Sequence, residues 1–137
     1  MGDAPAKPLE GITVLVVDDN LDTLDLLKAT LTYAGALTVT AEDGKEALER
    51  LGRIRVDVIV SDISMPGFSG HDFIRAVRAL PSQAGRSTPA IALTAFHEPS
   101  QRRQALAAGF QVYLLKPFDT TALVREIVRL AGKSTTP

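Results

Sequence analysis

Apolar residues in this chain cluster in five short runs, and each run is followed by a longer segment in which apolar positions recur at helical spacing. Four runs are nearly continuous in apolar residues, a pattern typical of parallel strands that are buried on both faces. The second run alternates threonine with apolar residues and therefore predicts a half-exposed strand at the edge of a sheet. The runs cover residues 12–17, 37–41, 56–61, 90–93 and 112–115.

The alternation of strands and helices predicts an α/β domain with a parallel sheet, right-handed crossovers and helices on both faces. Side chains that cap helices precede the first, second and last helical segments: Asn20 or Asp22, Asp43 with Glu46 in capping-box spacing, and Asp119. Pro99 predicts the start of the fourth helix and Gly109 its end. Residues 81–89 are predicted to form a loop.

With 137 residues, the chain is long enough for one domain, which we expect over residues 11–131. Residues 1–10 carry Pro5 and Pro8 and are predicted to form a flexible tail or linker, and residues 132–137 a C-terminal tail. The formal net charge of −1 gives no indication of direct nucleic-acid binding, and the absence of cysteine excludes disulfides and thiolate metal sites. Neither a membrane span of roughly 20 apolar residues nor a signal peptide is present, so we expect a cytoplasmic protein that makes no membrane contact.

Residues suited to phosphoryl chemistry directly follow four of the runs. In an open α/β sheet, ligands bind beyond the carboxyl ends of the strands. The fold therefore predicts that three carboxylates, a hydroxyl and an ammonium group share one crevice. These groups belong to Asp18 and Asp19, Asp62, Thr94, and Lys116 with Pro117 behind it.

Three carboxylates in one crevice repel each other, which raises pKa values and costs stability unless a cation lies among them. Hard oxygen ligands with incomplete protein coordination suit Mg²⁺, or Mn²⁺ in its place. Asp62 is the candidate nucleophile, because a carboxylate that attacks phosphorus forms an acyl phosphate. Thr94 can donate a hydrogen bond to a phosphoryl oxygen, and Lys116 can neutralise one or pair with Asp62.

Each of these residues alone has an ordinary structural explanation as a helix cap, a turn residue or a solvated side chain. Their common position at strand ends is what favours the chemical interpretation. His71 and His97 have no candidate partner nearby in the sequence, and we interpret them as surface residues. The arginines on the predicted helices are interpreted as solvated faces.

The segments VLVVDDN, DVIVSDISMPGFSG, IALTAF and VYLLKPF follow one another in order. In this combination the chain resembles a receiver domain of two-component signalling from about Ile12 to Leu130. The opening LEGITVLVVDDN, after a proline-containing tail, resembles C-terminal receivers of hybrid sensor histidine kinases. The resemblance implies a doubly wound (βα)5 flavodoxin-like three-layer sandwich with strand order 2-1-3-4-5.

The resemblance also implies a role for each residue of the crevice. Asp62 would accept the phosphoryl group and, together with Thr94 and Lys116, form the catalytic set. The ligands of Mg²⁺ would be Asp18, Asp19, Asp62 and the backbone carbonyl of Ser64.

A conformational switch is implied as well. Thr94 would move toward the phosphoryl group while Tyr113 turns inward, although an ordinary edge-strand aromatic is the alternative for Tyr113.

A bulky ring at Phe96 would hinder the access of water to the site and lengthen the lifetime of the acyl phosphate.

The implied function is to take a phosphoryl group from the phosphohistidine of a histidine kinase or a histidine phosphotransfer protein. Such a domain catalyses its own phosphorylation and dephosphorylation, and histidine kinase activity is expected only if it is part of a larger hybrid protein. The donor would dock over the first helix and the loops near the site. A downstream protein would bind the face formed by helix four, strand five and helix five.

Two other functions remain open from the sequence. A phosphatase of the haloacid dehalogenase type also uses aspartate, threonine and lysine at strand ends, but its covalent phosphate would lie on Asp18 of the first strand. A receiver-like interaction module would use the same fold without accepting phosphate.

Overall fold

The structure is a computed structural model that describes residues 7–65, 67–81, 83–95 and 98–132, without the side chains of residues 83 and 84. Its strands are β1 (Thr13–Val17), β2 (Leu37–Ala41), β3 (Val58–Asp62), β4 (Ala90–Thr94) and β5 (Val112–Leu115). Its helices are α1 (Leu21–Tyr33), α2 (Gly44–Leu51), α3 (Gly70–Arg78), α4 (Gln83–Arg86), α5 (Pro99–Ala108) and α6 (Thr120–Ala131). In the described part of the chain, no helix is both long and apolar enough to cross a membrane.

The five strands form one sheet in the order β2-β1-β3-β4-β5, and every neighbouring pair is parallel. This order confirms the predicted doubly wound fold, and β2 lies at the edge as its alternating pattern predicted. All five residues of β3 and of β4 are buried. The two strands that end in Asp62 and Thr94 therefore form the rigid interior of the sheet.

Helices cover both faces of the sheet because successive side chains of a strand point to opposite faces. From β1, Leu15 and Val17 join the core under α2, α3 and α5, whereas Val14 and Val16 join the core under α1 and α6. The result is the predicted three-layer sandwich with one apolar core on each side.

The predicted caps are confirmed at three helices. The side chains of Asn20, Asp43 and Asp119 accept hydrogen bonds from backbone amides in the first turns of α1, α2 and α6. Glu46 closes the capping box one residue early, because its carboxylate accepts a hydrogen bond from the Glu42 amide at 2.7 Å. These bonds satisfy amides that have no partner inside their own helix.

Helix α5 is held differently from the others. It begins with proline as predicted, but its N-cap residue, Glu98, makes no side-chain cap hydrogen bond. Ala105 and Ala108 are its buried residues, and it ends at Gly109 with a φ of 134°. Because alanine buries little apolar area, this helix packs on the core with a small footprint.

Three expectations need correction. The predicted loop over 81–89 contains the single helical turn α4, which is too short to show an apolar period. Strand β3 begins at Val58 instead of residue 56; just before it, the Asp57 amide donates to the Thr13 carbonyl at 2.9 Å and the Asp57 carboxylate accepts the Thr13 amide at 2.8 Å. Leu9, placed in the predicted N-terminal tail, is fully buried in the core under α1 and α6, and its amide donates to the Ala34 carbonyl at 2.9 Å.

A half-buried arginine joins three segments at the amino-terminal edge of the sheet. The Arg78 guanidinium donates to the Gly109 carbonyl at 2.8 and 3.1 Å, to the Thr88 carbonyl and to the Arg86 carbonyl at 2.9 Å. It also donates at 3.1 Å to the Gln111 side chain, which accepts the Ala90 amide. Burial lowers the pKa of Arg78. The charge is thus compensated by carbonyl groups at the ends of α4 and α5.

We expect Arg78→Met to lower the free energy of unfolding by about 2–3 kcal/mol, because it leaves half-buried carbonyls without a donor while keeping the aliphatic stem. Denaturant unfolding measures the change. Arg102→Met, which removes an exposed arginine from α5, is the control and should stay within about 0.5 kcal/mol of the parent chain. Equal effects of the two substitutions would contradict a clamp at Arg78.

Candidate functional site

The carboxyl ends of four neighbouring strands bring the predicted chemistry together. Asp62 and Thr94 are the last residues of β3 and β4, and Asp18 follows β1 directly. The Lys116 amide donates to the Thr94 carbonyl at 2.7 Å, which fixes the end of β5 against β4. The sheet register therefore determines where each of these side chains begins.

Three aspartates form an acidic cluster at this edge. Asp18, Asp19 and Asp62 each offer a carboxylate oxygen, and these oxygens lie within 4.8 Å of one another. Asp18 is 1% and Asp62 7% exposed, whereas Asp19 is open to solvent. One side of the cluster thus remains accessible to a ligand from solution. Such a set of hard oxygen donors fits a small divalent cation.

Asp18 is held in place on both sides. One carboxylate oxygen accepts the Asn20 amide at 2.9 Å, and the other lies 3.3 Å from the Lys116 Nζ. These two contacts hold Asp18 in place, while Asp19, the third member of the cluster, is exposed.

The Lys116 ammonium lies between two of the carboxylates. Its Nζ is 3.3 Å from Asp18 and 3.4 Å from Asp62, and its side chain is about a quarter exposed. The Lys116–Pro117 peptide bond is cis, an isomer that the sequence does not specify. The predicted pairing of Lys116 with Asp62 is present, and Asp18 shares the same ammonium.

The electrostatics of Asp62 reflect this crowding. Burial raises the pKa of Asp62, and the nearby Asp18 carboxylate raises it further. The Lys116 ammonium and the Ser64 amide, which donates to Asp62 at 3.4 Å, lower it and only partly compensate. A cation among the carboxylates would remove the remaining repulsion.

A glycine that the sequence analysis treated only as part of a turn proves essential to the site's shape. A Cβ at Gly70 would lie 2.5 Å from the Asp62 carbonyl oxygen and 2.7 Å from the Ile63 Cα. Its amide donates to the Ile63 carbonyl at 2.9 Å, and Ser69 caps α3 at this point. Only glycine lets α3 start this close to the strand that carries Asp62. The FSG segment predicts a turn at Gly70, but the sequence does not show that the backbone of Asp62 and Ile63 packs against this glycine.

The predicted switch residues are in contact. Thr94 is fully buried and forms a side-chain hydrogen bond with the Tyr113 phenol. Burial raises the pKa of Tyr113, and the Thr94 bond partly opposes that rise. Tyr113 is half-buried and packs against the core under α2, α3 and α5. The structure thus connects the sheet edge to β5 by one side-chain hydrogen bond.

Of the four remaining predicted positions, the structure describes Ser64 and His71. Ser64 is exposed beside Asp62. His71, expected on the surface, is half-buried, and burial lowers its pKa. Phe96 and His97 lie outside the described residues.

The comparison with protein families identifies this arrangement. The sequence profile of the response regulator receiver domain matches residues 14–128. The chain belongs to this family. Receiver domains act in two-component signalling, interact with histidine kinases or phosphotransfer proteins, and bind Mg²⁺ at an acidic pocket. In this receiver domain the cluster of Asp18, Asp19 and Asp62 is an acidic group that fits such a pocket.

Known relatives include an uncharacterized 14.6 kDa protein of Leptolyngbya boryana, 44% identical over 87% of this chain and 89% of that protein. The virulence sensor protein BvgS of Bordetella bronchiseptica is 33% identical over 97% of this chain. The transcriptional regulatory protein PrrA of Mycobacterium tuberculosis is 37% identical over 90% of it. The chain spans 11% of BvgS and 52% of PrrA.

Solved receiver structures share the fold. The chemotaxis protein CheY4 of Vibrio cholerae has a TM-score of 0.81 at 35% identity and covers 87% of this chain and 98% of its own. The receiver domain of the sensor histidine kinase PA1611 of Pseudomonas aeruginosa has a TM-score of 0.80 at 34% identity and covers 89% and 98%. That structure holds a magnesium ion in its active-site cleft.

We expect Asp62→Asn to raise the free energy of unfolding at pH 7 in the absence of divalent cations. Because the folded-state pKa of Asp62 is raised, the native state binds its proton more tightly than the unfolded chain. The contribution of Asp62 to stability is therefore fully present below its unfolded pKa of about 3.8 and is lost as the pH rises through the folded pKa.

Denaturant unfolding at pH 4 and pH 7 measures this difference. The gain from Asp62→Asn should be larger at pH 7 than at pH 4, and at pH 7 it should exceed the effect of Asp25→Asn, which changes an exposed carboxylate of α1. A gain that is the same at both pH values would contradict the electrostatic explanation.

Proposed function

We propose that this receiver domain accepts a phosphoryl group from a phosphohistidine onto Asp62, with Mg²⁺ bound by the aspartate cluster. The observation that carries the proposal is the position of the Lys116 ammonium, within 3.4 Å of both Asp18 and Asp62. An ammonium, three carboxylates and the Thr94 hydroxyl at one sheet edge form a set suited to phosphoryl transfer, which depends on positioning and charge stabilisation.

In the proposed reaction, an Asp62 carboxylate oxygen attacks phosphorus as the phosphorus–nitrogen bond of the phosphohistidine breaks. The electron pair of that bond returns to the imidazole, and the product is an acyl phosphate on Asp62. Lys116 and Thr94 contact the phosphoryl oxygens. Mg²⁺, held by Asp19, Asp62, the Ser64 carbonyl and, through water, Asp18, would neutralise charge on the phosphoryl group.

Phosphorylation would then change the contact between Thr94 and Tyr113. A Thr94 hydroxyl that turns toward the phosphoryl group gives up its bond to the Tyr113 phenol, and the two-state equilibrium of the domain shifts. The affected surface is formed by α5, β5 and α6, and we assign it to a downstream protein. Water attack on the acyl phosphate, in the same site, would reset the domain.

A groove next to the site suits a helical phosphodonor. It has a volume of about 270 Å³ and lies between α1 and the loop from β5 to α6, with Leu26, Leu27, Lys116, Pro117 and Phe118 in its lining. Leu26 is 63% exposed. A donor helix that buries an apolar side chain here would bring its histidine toward Asp62. In the cell, we place this exchange in the cytoplasm.

We expect incubation with Mg²⁺ and acetyl phosphate to add about 80 Da to the chain, as intact mass spectrometry would record. The adduct should require Mg²⁺ and be absent from Asp62→Ala. Asp25→Ala, an exposed carboxylate of α1, is the control that should still be modified.

The other outcomes separate the alternatives. An adduct that persists in Asp62→Ala but is lost in Asp18→Ala would instead support the phosphatase chemistry. A folded chain that takes no adduct would support the interaction module that never accepts phosphate.

We expect Leu26→Asp to slow phosphoryl transfer from a histidine phosphotransfer protein about tenfold, because it removes an apolar anchor from the groove. Modification by acetyl phosphate should stay unchanged, because the small donor needs no docking surface. Leu37→Asp at the start of β2, where the leucine is 66% exposed and lies outside the groove, is the matched control and should leave both rates unchanged. If Leu26→Asp slows both donors alike, the groove is not the docking surface.

A further inference from the structure

A second cavity lies at the opposite end of the sheet from Asp62. It has a volume of about 600 Å³ and is formed by the loop before β3, the loop before β4 and the end of α6. Strand β3 separates it from Asp62, and a strand of five residues spans roughly 13 Å at about 3.3 Å per residue. The phosphoryl chemistry proposed above does not use this cavity.

The cavity joins an apolar wall to a cationic rim. Leu51, Val56, Pro89 and Leu130 supply the apolar part, together with Ile54, which is 38% exposed. A volume in this range suits a small organic molecule, and an exposed large apolar side chain in a concavity gives such a molecule a surface to cover.

The cations on the rim are Arg53 and Arg55, both exposed. Arg50, Arg75 and Arg129 each pair with a carboxylate, whereas in the described part of the chain neither Arg53 nor Arg55 forms an ion pair. Two guanidinium groups that line one cavity, neither in an ion pair with a carboxylate of the described residues, favour an anion from solution.

The polar groups between these two parts do not cancel the positive charge. Among the described lining residues, Asp57 carries a carboxylate, and it already accepts the Thr13 amide at 2.8 Å. Ser87 and Thr88 add hydroxyl groups on the side of β4. The lining thus combines two cations, one engaged carboxylate, two hydroxyls and an apolar surface.

We infer that this cavity binds a compact organic anion, with an apolar body against Ile54 and Leu130 and a phosphate or carboxylate group between Arg53 and Arg55. Affinity for such a ligand comes from burial of its apolar body, and selectivity comes from the two guanidinium groups of the rim. The inference is independent of phosphorylation at Asp62, because no residue is shared between the two sites.

A matched series of naphthalene compounds tests the inference on the full chain. 2-Naphthyl phosphate, 2-naphthoate and neutral 2-naphthol have the same apolar body and differ in charge. Titration of the ¹⁵N-labelled chain, with a chelator present so that no divalent cation holds phosphate at the aspartate cluster, gives both the affinity and the location of binding.

We expect the anions to shift the amide signals of residues 52–57, 87, 88, 130 and 131, and to bind at least tenfold more tightly than 2-naphthol. Arg53→Gln with Arg55→Gln should abolish that preference, whereas Arg102→Gln with Arg103→Gln, an exposed pair on α5, should preserve it. The anion that binds more tightly, phosphate or carboxylate, identifies the group that the cavity prefers.

Several results would overturn the inference. Equal affinity for all three compounds would mean that the arginines only interact with solvent or with the carboxyl ends of α2 and α6. Shifts confined to residues near Lys116 would place the anion in the phosphoryl site, and a loss of preference in the control pair would indicate a general charge effect. Binding that is absent at millimolar concentration would also refute the site.

Discussion

The balance of charge around Asp62 governs how the site is built. Two buried carboxylates, Asp18 and Asp62, face one ammonium, that of Lys116, and burial together with Asp18 keeps the pKa of Asp62 above its usual value. Such an arrangement is unfavourable by itself, so the surrounding fold must hold it in place. The same repulsion between carboxylates favours a cation among them.

The sheet supplies that support through strands that are buried along their whole length. Every residue of β3 and β4 is shielded from water, and apolar side chains pack against both faces. Close packing resists displacement, so the carboxylate of Asp62 and the hydroxyl of Thr94 keep their spacing without a ligand. Gly70 extends this support, because it lets α3 begin directly beside the Asp62 carbonyl.

Sequence reasoning succeeded where one local pattern determines the structure. Continuous apolar runs predicted the buried strands, and the parallel arrangement then predicted that the strand ends would meet. Sequence reasoning failed where the structure depends on contacts between residues that are distant in the sequence. The prolines near the N-terminus predict a tail that includes Leu9, yet Leu9 is fully buried in the core. Helix α4 is a single turn, too short to show a helical period of apolar residues. The Thr94–Tyr113 hydrogen bond depends on how two side chains from different strands are oriented, which spacing alone does not reveal.

The small footprint of α5 has a consequence for the energy landscape of the domain. A helix that buries two alanines and has no side-chain cap gains little free energy from its native position. We therefore expect α5 to open locally at low cost, and the fully buried strands β3 and β4 to open only with global unfolding. We therefore expect the energy landscape of the domain to be shallow along one coordinate, the position of α5 against the core.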